Sequence, residues 1–419
     1  MKNLIKSIVV TIVFSFYLFP VEFSILPGIN SKMMLAMVGL IILLFQALER
    51  RELLIDKRVL GVFVFALLYS LVSYCSVVYN NTNQYVYASY FVSMSVWLSG
   101  AYSVIKLIEY YHGKSSLQLI FHYMAIVCVL QCILALLIDN IPIMKHWVNM
   151  VFIQDYEFLS RTGRLYGIGA WFDTAGIRFS CALIGIGYLL LEIRSEKWIV
   201  LYVIMASIIV IIGNFMSRTT SVGVILLIAY ILLMRFRFKS EIAKSTIQLF
   251  TKIIILISFL FIAFLFLYNN VPEVYNYSQF AFEGILNYWD KGELGTDSTD
   301  KLMKMWKVVP DNLKTWIIGD GFFDDPHGGR GFYKGTDVGY YRLIFYSGLL
   351  GLFCFVGYFL YCTFMLVAKY PKNRMIFYML LLLQLLVWIK ISTDIFCVFA
   401  LLLLLPQTEN RVTMSIFRD

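Results

Sequence analysis

Charge is what this sequence has least of. Only 15% of its 419 residues are Asp, Glu, Lys or Arg, against about 25% in soluble domains, and that scarcity excludes a soluble globular chain. Histidine occurs four times. No CxxC and no Cys/His metal spacing is present, and Cys75, Cys128, Cys132, Cys181, Cys354, Cys362 and Cys397 all lie in apolar segments. The expectation is free thiols, with neither a disulfide nor a metal. The glycine run after Gly319 lacks the Gly-Lys-Ser/Thr of a phosphate-cradling P-loop. Internal repeats, low-complexity tracts and a small-residue cleavage site after the Lys-then-apolar stretch Met1 to Pro20 are absent. That stretch therefore reads as a first uncleaved helix rather than a signal peptide.

What is abundant is apolar surface: 60% of residues are hydrophobic and the mean hydropathy is +0.77. A helix needs roughly 20 apolar residues to span a bilayer, fewer where its ends are tucked into protein. On that basis spans are expected near 4–19, 33–48, 59–79, 86–107, 117–138, 176–193, 198–213, 219–234, 250–268, 340–368, 375–389 and 395–406. The expected fold is an all-α polytopic membrane protein, a single helical bundle over 1–419 with about twelve transmembrane helices.

The net charge of +9 does not point to nucleic acid, because the cations sit in short clusters between apolar runs. Even-numbered connections carry Arg50, Arg51, Lys57 and Arg58; Lys106 and Lys114; Arg194 and Lys197; Arg235, Arg237, Lys239 and Lys244; Lys369, Lys372 and Arg374. Short odd-numbered connections carry Lys32, Arg218 and Lys390. Fifteen against three, by the positive-inside rule, places the even connections and both termini in the cytoplasm. Two long loops, 139–175 and 269–339, the larger one between spans nine and ten, then face outward. Whatever chemistry they carry is separated from ATP and nucleotide sugars.

In the larger loop, 298–309 reads as a helix capped by Asp297 or Ser298 and stopped before Pro310. Lys301, Lys304 and Lys307 line one side and Leu302, Met305, Trp306 and Val309 the other, a pattern suited to the headgroup plane. The Gly-rich segment 319–339 follows. From Gly319 to Arg342 there are seven glycines, four aspartates, three cations and one histidine. Those glycines permit an irregular backbone close to a ligand.

Ionisable residues at membrane depth are costly, and are functional or paired. Asp173, Arg178, Arg218, Asp337, Arg342, Lys390 and Asp394 share the outer face in this topology. A purely structural reading pairs Arg178 with Asp173, Arg342 with Asp337 and Lys390 with Asp394. It leaves Arg218, in Asn214-Phe-Met-Ser-Arg-Thr-Thr-Ser, with no nearby acid, and Arg164 and Arg330 add further positive charge. Arginine suits phosphate because its planar fork binds two oxygens at once. His327 can serve as a general base, with an unperturbed pKa of about 6.5. Asp324 and Asp325 are adjacent and do not form a facing carboxylate pair.

Three stretches together resemble the O-antigen polymerase family. Arg164-Leu-Tyr-Gly-Ile-Gly-Ala-Trp-Phe-Asp-Thr-Ala-Gly-Ile-Arg178-Phe-Ser is similar to the arginine-containing start of a middle span, and Met216-Ser-Arg218-Thr-Thr-Ser-Val-Gly to the Ser-Arg-Thr-Gly turn opening a following span. Lys304-Met-Trp306, Ile318-Gly-Asp-Gly321, His327 and Thr336-Asp337-Val-Gly-Tyr-Tyr-Arg342 are similar to the long outer loop and the helix after it. Arg-Thr-Thr-Ser replaces Arg-Thr-Gly, and Lys301 or Lys304 stands where an Arg commonly precedes the Trp.

The resemblance implies a cofactor-free, metal-independent glycosyltransferase of the bacterial inner membrane. It would move a growing glycan from polyprenyl diphosphate to a sugar hydroxyl of the next lipid-linked unit at the outer leaflet. His327, Arg218 and Asp337 would be catalytic, and Arg164, Arg178, Arg330, Arg342 and Lys390 would bind substrate. The partners implied are lipid-linked oligosaccharide donor and acceptor, membrane lipid, a chain-length regulator and a flippase. Two alternatives stay open: an O-antigen ligase, and a transporter of lipid-linked oligosaccharide without covalent change. A transporter would gather its polar residues at the midplane and show related halves.

Overall fold

The computed structural model of this chain describes residues 2–50, 57–237, 258, 261–292, 295–327 and 331–406. Apolar runs with no water to satisfy their backbone become helices, whose N–H and C=O groups pair within the segment. In chain order these are α1 (Lys2–Leu18), α2 (Ser31–Arg50), α3 (Lys57–Tyr79), α4 (Tyr90–His112) and α5 (Leu117–Asn140). Then come α6 (Pro142–Val151), α7 (Tyr156–Arg161), α8 (Phe172–Glu192), α9 (Glu196–Met216), α10 (Thr220–Arg237) and α11 (Phe261–Asn270). The rest are α12 (Pro272–Lys291), α13 (Asp297–Trp306), α14 (Leu313–Ile317), α15 (Gly339–Lys369), α16 (Arg374–Val387) and α17 (Phe396–Leu404). Among the described residues seven are long and apolar enough to cross a membrane: α2, α3, α4, α5, α8, α9 and α15. The protein is an all-α membrane protein. The other apolar runs form the shorter α1, α10, α11, α16 and α17, and part of the expected ninth span, 250–257 and 259–260, lies outside the described residues.

Two compact units make up the chain. The first comprises Met1–Ser31, Leu107–Glu293 and Leu405–Asp419. Its centre is α8, packed on α5, α9 and α10 and buried along most of its length. The long loop after α5 is itself structured: α6, α7 and a two-residue strand, β2 (Phe152–Ile153), antiparallel to β1 (Glu22–Phe23). Ile138, Val148, Leu159 and Tyr166 give it a small core.

The second unit comprises Lys32–Lys106 and Leu294–Leu404. Its centre is α15, packed on α3, α14, α16 and α17. The apolar run 340–368 reads as one span, yet the helix breaks at Gly348 (φ 67, ψ −173). Gly348 is needed there because a Cβ would overlap the Ile317 carbonyl where α14 abuts the break. A break frees carbonyls that a continuous helix would satisfy. Phe345 O accepts from Asp320 N at 2.6 Å and Tyr346 O from Gly321 N at 3.1 Å, while Ser76 Oγ donates to Tyr346 O at 2.7 Å. The Gly-rich segment is thus docked into the break in α15. Gly319 (φ 86) and Gly321 (φ 71) adopt left-handed conformations to make that turn.

The expected helix at 298–309 is α13, shifted by its cap. Thr296 is the capping residue, its Oγ1 accepting from Thr299 N at 3.1 Å, because Thr296 is extended and its hydroxyl can reach back over the first turn. Lys301, Lys304 and Lys307 are exposed and Leu302, Met305 and Trp306 half-buried. The half-buried side rests on protein: the Trp306 and Tyr341 rings lie 5.1 Å apart.

Candidate functional site

In the first unit, the chain leaves α9 and enters α10 through Ser217, Arg218 and Thr219. Ser217 N donates to Gly213 O at 2.8 Å, and Thr220 N to Ser217 O at 3.1 Å, which closes the turn and puts Arg218 at its apex. Asp173, in the first turn of α8, accepts from Ser217 Oγ at 3.0 Å and from Thr219 Oγ1. A carboxylate there also complements the partial positive charge of the α8 N-terminus. Gly176 lets the turn approach α8, since a Cβ would meet the Ser217 side chain at 2.7 Å.

Arg218 has a partner, which corrects the expectation that no acid lies near it. Glu283 of α12 pairs with its Nη2, and its Nε donates to Phe280 O at 2.8 Å. Those partners lie 62 and 65 residues away in the chain, so no local pattern around Arg218 contains them. Among the described residues, Nη1 of Arg218 is buried without a hydrogen-bond partner. Its guanidinium carbon sits 4.3 Å from the centre of the Phe280 ring, and that of Arg164 is also 4.3 Å from the same ring. Arg164 lies 5.5 Å from the Phe172 ring, and Phe172 holds a positive φ of 46, uncommon for a side chain of its size. Burial first, and the neighbouring Arg218 as well, pull the Arg164 pKa below its ordinary value, with Asp173 opposing them. Arg178 is half-buried, 5.2 Å from the Phe19 ring. The first unit therefore brings Arg164 and Arg218 together and puts Arg178 against Phe19.

In the second unit the Gly-rich segment is held by the connection between α3 and α4. Asn80 Nδ2 donates to Gly319 O at 3.1 Å and Thr82 Oγ1 to Gly321 O at 2.8 Å. Gln84 Oε1 accepts from Phe323 N at 2.6 Å and from Asp324 N at 2.8 Å. Asp320 accepts from Lys314 Nζ at 2.8 Å, Thr315 Oγ1 at 2.7 Å and Tyr333 OH at 3.2 Å. With three donors on it, that carboxylate has a structural job. Burial, then the Asp320 charge, push the Tyr333 phenol up to about 12.

His327 is exposed, and its backbone N–H donates to Asp325 Oδ1 at 3.0 Å. Asp337 lies 3.9 Å from Nη1 of Arg342, a loose version of the expected ion pair. Arg342 is buried between two rings, 4.0 Å from Phe323 and 3.4 Å from Phe332. Lys390 is half-buried in the turn after α16, and Asp394 accepts from Phe396 N at 2.8 Å, capping α17. Arg330 lies outside the described residues.

Phe280, Glu283 and Gln84 were not singled out from the sequence. For Gln84 a signal exists: Asn80-Asn81-Thr82-Asn83-Gln84 is a five-residue run of amides and hydroxyls between two apolar spans. For Phe280 and Glu283 none does.

No protein-family model, curated protein or solved structure matches this chain.

Proposed function

We propose that this protein polymerises lipid-linked oligosaccharide repeat units, of O-antigen or capsule, at the outer leaflet of a bacterial inner membrane. The single observation that carries the proposal is the sharing of Phe280 by Arg164 and Arg218, with Arg218 Nη1 buried and, among the described residues, unpartnered. Two guanidiniums on one ring, at a turn between two apolar helices, suit a diphosphate with a lipid tail. In this reading the diphosphate displaces Glu283 from Nη2 and takes up Nη1.

The chain crosses the membrane about twelve times, with both termini cytoplasmic and the loops 139–175 and 269–339 outside. The acceptor hydroxyl oxygen attacks the anomeric carbon of the donor, and the bond from that carbon to the diphosphate oxygen breaks. His327 takes the hydroxyl proton, with Asp337 orienting a neighbouring group. Arg218, aided by Arg164 and Arg178, stabilises charge on the leaving polyprenyl diphosphate. No nucleotide is needed, because the donor carries its activation in the diphosphate bond. A flippase supplies the lipid-linked units and a chain-length regulator sets the product.

The test is the glycan ladder of cells lacking the protein, complemented with wild type, Arg218→Ala or Arg164→Ala at matched membrane abundance. Wild type restores a ladder, and Arg218→Ala leaves single repeat units, reflecting a loss of about 100-fold or more in turnover. Finished polymer accumulating on its lipid in the null would instead indicate a ligase. Complete loss of surface glycan, with lipid-linked units held on the inner leaflet, would indicate a transporter.

A further inference from the structure

His327 does not sit on a featureless loop. Asp324 bridges Phe332 in antiparallel fashion, Asp325 N donates to Gly331 O at 3.1 Å and Tyr333 N to Phe323 O at 3.1 Å. Residues 323–325 and 331–333 therefore pair as two short antiparallel arms, and His327 is exposed just after the first of them. An isolated two-stranded hairpin is marginally stable at best in water, so something must hold this pair.

Two residues grip its base. Gln84 takes the N–H groups of Phe323 and Asp324 on one oxygen and returns a longer bond, 3.3 Å, from Nε2 to Asp324 O. Arg342, from α15, packs against one ring from each arm. Phe323 and Phe332 lie on those arms and place their rings 4.0 and 3.4 Å from its guanidinium carbon, with the rings themselves 6.0 Å apart. Among the described residues Arg342 Nε and Nη2 are buried with no hydrogen-bond acceptor, and Nη1 faces Asp337 at 3.9 Å. The ring contacts are thus the closest interactions this cation makes. Cation–π attraction is strongest when both partners are desolvated, and Arg342 is only 8% exposed.

We infer that Arg342 is a positioning residue: packed against Phe323 and Phe332, it fixes the two paired arms on either side of His327 in the chain. This gives Arg342 a positioning role in place of the substrate-binding role expected from its charge. That the clamp serves transfer rests on the polymerase reading; the clamp itself does not. The constraint lies at the base of the paired arms, in α15 and in the connection before α4.

The experiment is hydrogen exchange of the purified full-length protein, read by mass spectrometry on peptides covering 322–334 and 349–369. The variants are Arg342→Gln, Arg342→Lys and Phe332→Leu. The last removes one of the two rings. In wild type the amides of Phe323, Asp324, Asp325 and Tyr333 exchange slowly. Arg342→Gln and Phe332→Leu should speed the 322–334 peptide at least about tenfold, the change that about 1.4 kcal/mol produces, and leave 349–369 unchanged. Arg342→Lys should restore protection in part and, in a chain-elongation assay, restore kcat. Arg342→Gln should lower kcat while the donor KM stays level. Unchanged protection in both Arg342→Gln and Phe332→Leu overturns the clamp and makes the free Nε and Nη2 a ligand site instead. Lost protection with unchanged elongation upholds the clamp and removes His327 from the chemistry.

Discussion

Arg218 and Glu283 form an ion pair between the apex of the α9–α10 turn and α12, with side chains 21% and 25% exposed. Phe280 lies one turn before Glu283 and carries both Arg218 and Arg164 on its ring. α12 is thereby tied to the cationic turn. If the diphosphate takes the place of the Glu283 carboxylate, Glu283 competes with the donor, and its removal has two opposite effects.

Glu283→Gln should lower stability and tighten donor binding. A partly exposed pair contributes about 1 kcal/mol or less, so the thermal midpoint should fall slightly. The donor KM should fall up to about fivefold, the equivalent of about 1 kcal/mol. A KM that rises on removing Glu283 would show that the carboxylate aids donor binding.

Gly348→Ala should be far more damaging than Gly357→Ala, although both lie in α15. At Gly348, φ is 67 and a Cβ would overlap the Ile317 carbonyl, so strain of about 1–3 kcal/mol adds to the clash. At Gly357 the nearest atom is Phe65 Cε1 at 3.9 Å, and alanine should be neutral or stabilising by up to about 1 kcal/mol. Membrane abundance and thermal midpoints of the two variants check this; equal behaviour would mean that α15 has no break at Gly348.

Gln84→Ala should leave the Phe323 and Asp324 amides without their protein acceptor, at a cost of about 0.5–1.5 kcal/mol, because Asp324 is exposed and Phe323 only half-buried. Proteolysis should then find the 322–327 stretch more readily than in wild type, while cleavage elsewhere is unchanged. An unchanged digestion pattern would contradict the role given to Gln84.

Tyr333 provides a pH signature. Its phenol is pushed up to about 12 by burial and then by Asp320, from about 10 in an unfolded chain. The folded state therefore holds the proton more tightly. The stability it contributes is fully present below about pH 10 and is lost as pH rises through about 12. The ultraviolet titration difference between wild type and Tyr333→Phe should show one phenol ionising near the upper value; ionisation at about 10 would contradict the buried contact with Asp320.

Apolar run length is a local property, and the expected runs fall on helices, seven of which among the described residues are long and apolar enough to cross a membrane. The cationic turn at Arg218 was legible for the same reason: a lone Arg between two apolar runs stands out. Its partners were not, because Glu283 and Phe280 come from a loop helix 62 to 65 residues later. The break in α15 was equally hidden. Gly348 lies in an unbroken apolar run, and only the approach of Ile317 from α14 shows why the helix must yield there. The role expected for Arg342 came from its charge, whereas its surroundings, two phenyl rings from the paired arms, are a tertiary property.

The most direct test of the account is reconstitution of the purified protein in vesicles with lipid-linked repeat units as sole substrate. The account predicts products of increasing length with release of polyprenyl diphosphate, and no elongation by Arg218→Ala. Movement of intact repeat units across the bilayer with no change in their length would contradict it.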